Sequence, residues 1–157
     1  RGLCPKDQFD RLVSFRDIDM NNLPDDMGVF DFVWSSCAFE HLGSIRKGLE
    51  FVINSSRLLK PGGIAVHTTE YNLTSNDDTL DDNPSFVIYR QQDIEHLLNE
   101  LKSLGFEVEP VDFARGDDVL ERHVDQPPYS PEPHIRLQLA EKYTATSLGL
   151  VVRNSAK

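Results

Sequence analysis

The apolar positions of the chain fall into short runs separated by polar turns. Residues 1–11 are polar and irregular. Leu12-Val13-Ser14-Phe15-Arg16-Asp17-Ile18 is apolar enough for a short strand, and the Asn, Asp and Pro residues from Asn21 to Asp26 stop it in a turn. Phe30-Asp31-Phe32-Val33-Trp34-Ser35 is nearly continuous in apolar character, the pattern of a strand covered on both faces, with Trp34 in the core. Ser44 is an N-cap residue for a helix in which Ile45, Leu49, Val52, Ile53, Ser56 and Leu59 recur at helical spacing. Arg46, Lys47, Glu50 and Arg57 take its other face. Pro61-Gly62-Gly63 then turns into a second buried strand, Ile64 to Thr69. Val29 to Asn72 is therefore one βαβ unit. Such crossovers are right-handed in nearly all proteins, which makes the fold class α/β.

Asn72 to Pro84 reads as a solvated loop, and Phe86-Val87-Ile88-Tyr89-Arg90 as a short apolar patch. Asp93 is placed to cap a helix carrying Ile94, Leu97, Leu98, Leu101 and Leu104 on one face, with Gly105 at the left-handed C-cap. Phe106, Val108, Val111 and Phe113 alternate as a further strand. Ala114 to Pro133 is a long loop, Ile135 to Leu139 a short helix or edge segment, and Thr144 to Val152 a final strand.

Composition narrows the classes of function. The 157 residues fit one domain, and 26 acidic against 16 basic residues give a formal net charge of −10. A binder of double-stranded nucleic acid needs a basic face, and no Lys/Arg cluster supplies one. No apolar run approaches the roughly 20 residues of a membrane span, and no cationic start precedes an apolar segment. Two cysteines, Cys4 and Cys37, without a CxxC pair argue against a disulfide framework and point to a cytoplasmic setting.

In an open parallel sheet, ligands bind outside the carboxyl ends of the strands. Titratable residues collect at that edge. The first run ends at Asp17 and Asp19, the second at Ser35-Ser36 followed by Glu40-His41, and the third at Thr69-Glu70-Tyr71-Asn72. The fourth opens into the loop with Arg115, Asp117, Asp118, His123 and Tyr129. An imidazole at such an edge can accept a proton from an alcohol or amine, and a neighbouring carboxylate can orient it. Glu70, Tyr71, His123 and Tyr129 are the candidates for substrate contact.

Asp19-Met20-Asn21-Asn22-Leu23-Pro24, Phe30-Asp31-Phe32-Val33-Trp34-Ser35, Phe39-Glu40-His41-Leu42 and Leu58-Leu59-Lys60-Pro61-Gly62-Gly63 stand in that order. Together they resemble the successive motifs of class I S-adenosylmethionine-dependent methyltransferases of the type 11 group. The resemblance covers residues 12–113, and the strand at 144–152 suits the antiparallel strand that ends that fold. It implies a Rossmann-like sheet, mostly parallel with an antiparallel last strand, and S-adenosyl-L-methionine as cofactor. It implies methyl transfer to a small-molecule or sugar-like oxygen or nitrogen. Asp19 and Met20 would contact the adenine, Ser35 and Ser36 the methionyl part, and Glu40 and His41 the transferred methyl group and the acceptor.

The family's glycine-rich cofactor loop, and the acidic residue that holds the ribose, have no counterpart in the sequence. Residues 1–157 are accordingly expected to form a single methyltransferase-like domain truncated at its N-terminus, which alone binds cofactor weakly and is inactive. In the family's strand order that leaves the 30–35 strand with an open edge, a route to homo-oligomers.

Plainer readings stand beside these. His41 could begin the next helix, Asp17 and Asp19 could be turn formers, and His67 reads as a core residue. Cys37 reads as a small neutral filler, and its thiol disfavours a hard divalent cation, so no metal site is expected. A non-catalytic methyltransferase-like scaffold is the second reading of the whole. A nicotinamide-dependent reductase is disfavoured by the lack of any GxGxxG.

Overall fold

The computed structural model describes residues 4–116 and 118–156, so Asp117 lies outside the described residues. Helix α1 (Lys6–Leu12) buries none of its side chains. A 3-10 turn at Asp25–Met27 leads into β1 (Phe30–Ser36), followed by α2 (Ile45–Ser56) and β2 (Leu59–Asn72). After these come α3 (Gln91–Ser103), β3 (Phe106–Val108), α4 (Val119–Arg122), β4 (Val124–Asp125), β5 (Arg136–Leu139) and β6 (Tyr143–Asn154). The sheet order is β1-β2-β6-β5-β4, with β3 also pairing with β6. β1 runs parallel to β2, and β4 parallel to β5, while β6 is antiparallel to β2, β3 and β5. Five strands thus share one direction and the last alone opposes them, the Rossmann-like arrangement that the sequence motifs imply.

The βαβ unit forms for the reasons its pattern suggests. The Ser44 hydroxyl accepts the Lys47 N–H at 3.2 Å and caps α2. Ile45, Leu49, Val52 and Ile53 are buried against the sheet. Each such side chain removed from water contributes about 1.5–3 kcal/mol. β2 alternates strictly over its inner half: Ala65, His67, Thr69 and Tyr71 are buried and the residues between them are half-exposed. Ile94, Leu97 and Leu101 of α3 and Leu148, Leu150 and Val152 of β6 complete the same core.

Several sequence expectations are corrected. Leu12 to Ile18 forms no strand, because α1 ends at Leu12 and, among the described residues, no ladder partner receives those that follow. β1 is covered on one face only, where Val33 meets the core. Its other face carries Phe32 and Trp34, and Trp34 is 68% exposed rather than core. Pro61-Gly62-Gly63 lies inside β2, accompanied by a register shift between Phe30 and Phe32, instead of preceding the strand. The 106–113 run pairs only at Phe106–Val108. Asp93 is the third residue of α3, where its carboxylate accepts the Arg90 N–H at 2.9 Å and the Arg90 guanidinium at 2.8 Å. The 114–133 loop contains α4 and β4. Gly105, at φ 91, ends α3 as expected, and the 135–139 segment is the edge strand β5.

Candidate active site

The site is built where β1 and β2 end side by side, with Ser35 opposite His67 and Ser36 opposite Thr68. Ser35 Oγ lies 2.7 Å from His67 Nδ1, so this hydroxyl is engaged beneath the sheet. His67 is fully buried, with Phe39 and Phe51 rings edge-on at 6.2 and 6.0 Å. Desolvation holds its pKa down to about 4, which keeps the ring neutral, and Nε2 has no hydrogen-bond partner among the described residues. Ser36 is exposed and its Oγ accepts only a long 3.5 Å contact from Thr68 Oγ1.

The 3-10 turn Phe39–His41 follows β1 and is pinned from two sides. The Tyr89 hydroxyl donates to the Phe39 carbonyl at 3.1 Å, and the Val87 N–H donates to the Glu40 carbonyl at 2.9 Å. This turns the Glu40 side chain inward, to 1% exposure, where Oε2 accepts the Thr69 hydroxyl at 3.0 Å. Cys37 holds a left-handed backbone at φ 42. Its N–H donates to both the carbonyl and the hydroxyl oxygen of Thr68, each at 3.1 Å. For a residue with a Cβ that conformation costs roughly 1–2 kcal/mol and persists where neighbours enforce it. Cys37 Sγ and carboxylate oxygens of Glu40 and Glu70 lie within 4.8 Å of one another. Burial raises the pKa of Glu40. It raises that of Glu70 as well, and the nearby Glu40 charge adds to the rise. Glu40 Oε1 and Glu70 Oε2 are buried with no hydrogen-bond partner among the described residues.

His41 is exposed, and its Nδ1 lies 2.6 Å from the Ser85 carbonyl oxygen. A carbonyl can only accept, so Nδ1 carries the proton and Nε2 presents its lone pair. The imidazole is therefore held as a proton acceptor at the strand end.

The remaining predicted residues are dispersed. Asp19 is exposed, and its Oδ1 accepts the Asn21 N–H at 2.9 Å, so the turn-forming role is real and one carboxylate oxygen remains free of it. Met20 packs half-buried on the main core. Glu70 and Tyr71 point to opposite faces of β2, as adjacent strand residues must. Tyr71 stacks on Phe113 at 5.5 Å and lines a separate small cavity with Arg115 and Arg136. His123 lines a cavity of about 570 Å³ with Leu120, Glu132, Pro133, His134 and Ile135. The Tyr129 hydroxyl donates to the Gln138 carbonyl at 2.6 Å. Sequence reasoning placed Thr69 at the strand end without a role and did not single out Tyr89, and these two residues orient Glu40 and its turn. It also passed over His134, which pairs with the buried Asp125 at 3.1 Å. Only the clustering of Tyr89 with other apolar residues gave a hint.

A family model described as a methyltransferase domain matches residues 2–67. No curated protein matches the chain. Among solved structures, the chain is similar to an O-methyltransferase family protein from Burkholderia thailandensis, with a TM-score of 0.53 at 13% identity. That alignment covers 95% of this chain, which spans 38% of the Burkholderia protein's length. It is also similar to an S-adenosylmethionine-dependent methyltransferase from Clostridium acetobutylicum, at a TM-score of 0.50 and 13% identity. Here 96% of this chain and 70% of the other are covered. At these identities the structural likeness speaks for the fold.

Proposed function

We propose that this chain is part of a class I methyltransferase and carries the acceptor side of a site for S-adenosylmethionine-dependent methyl transfer to an oxygen or nitrogen of a small-molecule or sugar-like acceptor. The observation that carries the reading is His41, fixed by the Ser85 carbonyl with Nε2 as a free acceptor at the end of β1. S-adenosyl-L-methionine, when bound, supplies a methyl group activated by its sulfonium. The residues at hand suit it. Asp19 keeps a carboxylate oxygen for an exocyclic amine, Met20 offers a half-buried thioether beside it, and Ser36 presents an exposed hydroxyl at the strand end.

His41 Nε2 takes the proton that an acceptor hydroxyl or amine loses as its lone pair attacks. Glu40, positioned by Thr69 and Tyr89 through the Phe39–His41 turn, places a carboxyl next to the base. Glu70 is the substrate-facing candidate nearest to this pair, whereas His123 and Tyr129 would act only through the 119–139 segment. The chain's acidity favours neutral or cationic acceptors.

The test is transfer of a labelled methyl group by the whole protein to a panel of small hydroxyl- and amine-bearing acceptors. His41→Gln should lower kcat by about 10²- to 10⁴-fold with cofactor affinity unchanged. No transfer to any acceptor, or an unimpaired His41→Gln variant, would overturn the reading.

A second reading is favoured by one observation. Among the described residues β1 pairs only with β2, and its outer face displays Phe32 and Trp34 to solvent. In this reading the domain is an association module that self-associates through that strand, and the protein neither binds S-adenosylmethionine nor transfers methyl groups.

A further inference from the structure

Beside His41 the Cys37 thiol, which the methyl-transfer reading leaves without a role, converges with the two carboxyls of that site. Cys37 Sγ, a Glu40 oxygen and a Glu70 oxygen lie within 4.8 Å of one another, brought from the end of β1, the 3-10 turn and the end of β2. His41 lies outside this group, its Nδ1 engaged by the Ser85 carbonyl. Two facts separate this group from a solvated acidic surface. Glu40 is 1% exposed and its Oε1 has no hydrogen-bond partner among the described residues, and Glu70, half-buried as a residue, likewise leaves its buried Oε2 without one. Buried carboxylate oxygens without donors are costly unless a cation or proton meets them. In addition, Cys37 is held in the left-handed region by its two bonds to Thr68, a conformation that places its thiol in the group.

The geometry points to a divalent-cation site of borderline softness, of the zinc class, with Cys37 as thiolate and Glu40 and Glu70 as oxygen ligands. The donor set selects the class. Calcium takes six to eight oxygens, and magnesium a near-octahedral shell of oxygens, so a thiolate with two carboxylates suits neither. Zinc accepts sulfur at about 2.3 Å and carboxylate oxygen at about 2.0–2.2 Å in tetrahedral sites, and three protein ligands leave its fourth position open. Those bond lengths set neighbouring donors about 3.5 Å apart, so closure on an ion from separations within 4.8 Å asks each pair to draw in by about 1.3 Å at most. Thr69, bonded to Glu40 Oε2, supplies the outer contact that ligating carboxylates ordinarily carry. The site does not depend on the methyl-transfer reading, since ion binding is measured with neither cofactor nor acceptor.

The probe is Co²⁺, added to the protein carrying Cys4→Ser so that Cys37 is the only thiol. The expected result is a thiolate-to-cobalt charge-transfer band that saturates at one ion per chain and is abolished by competing Zn²⁺, with Mg²⁺ having no effect. Cys37→Ser removes the band. Glu40→Gln and Glu70→Gln each weaken Co²⁺ binding by at least about ten-fold. Absence of a saturable band in the Cys4→Ser protein overturns the proposal without recourse to any site variant and leaves a shared proton between the two carboxyls. A band of unchanged affinity in both Gln variants overturns it equally.

Discussion

Acidification should weaken this fold through His67. The ring is fully buried between Phe39 and Phe51, makes one hydrogen bond to Ser35, and has its pKa lowered from 6.5 to about 4 by desolvation. In the unfolded chain the same imidazole titrates at its ordinary value, so between these two values the unfolded state binds more protons. The stabilising contribution is therefore complete above about pH 6.5 and is lost as the pH falls toward 4, with no further loss below. At 1.36 kcal/mol per unit, the difference amounts to about 3 kcal/mol. Glu40 and Glu70 work in the opposite sense. Their raised folded-state pKa values make protonation favourable to folding, so any stability they add is present in acid and fades as the pH rises through those values. The wild-type profile alone mixes the two effects, and the difference between wild type and His67→Gln separates them. Urea unfolding of both proteins from pH 7.5 to 4 should show that difference shrinking by about 3 kcal/mol in favour of the variant. A parallel NMR titration should place the His67 midpoint near 4. A pH-independent difference, or a His67 midpoint near 6.5, would refute the assignment of a buried neutral ring.

Gly48 is where α2 lets Tyr89 through. A Cβ there would stand 1.7 Å from the Tyr89 hydroxyl and 2.7 Å from the Phe39 carbonyl, the two ends of the bond that pins the turn. Gly48→Ala should therefore cost about 2–4 kcal/mol in chemical unfolding despite the better helix former. Tyr89→Phe in that background should recover at least about 1 kcal/mol, so strict additivity of the two changes would contradict the packing argument. The unpartnered face of β1 gives a test in the ultracentrifuge. The 157-residue chain should self-associate, and Phe32→Lys with Trp34→Lys should return it to a monomer. A wild-type chain that sediments as a monomer at tens of micromolar would count against edge pairing.

The legible parts of the fold were those in which local pattern and tertiary environment agree. The Ser44 cap and the apolar stripe of α2 are repeated by the structure, and strand ends alone put Glu40 and Glu70 at one edge. Ile64 to Thr69 is a strand buried on one face and half-exposed on the other rather than buried throughout. The failures share a physical cause. Leu12 to Phe15 and Phe32 to Trp34 are apolar enough to want a partner, but an apolar pattern specifies the demand for cover and not what meets it. In the structure Phe15 and Trp34 stand exposed. Within the site, the left-handed Cys37 and the Thr69 bond to Glu40 depend on contacts across 29 to 31 positions, which no short-range pattern encodes. The separation of Tyr71 from Glu70 was readable from strand alternation, and adjacency in sequence misled.

The central claim is that the Asp19 turn and the ends of β1 and β2 together serve S-adenosylmethionine chemistry. It is tested most directly by calorimetric titration of S-adenosyl-L-methionine into the whole protein, wild type and Asp19→Ala. The account predicts saturable binding that weakens by roughly ten-fold, about 1.4 kcal/mol, when the Asp19 carboxylate is removed, with thermal stability unchanged. Absence of binding by the wild-type protein, or binding indifferent to Asp19, would contradict it.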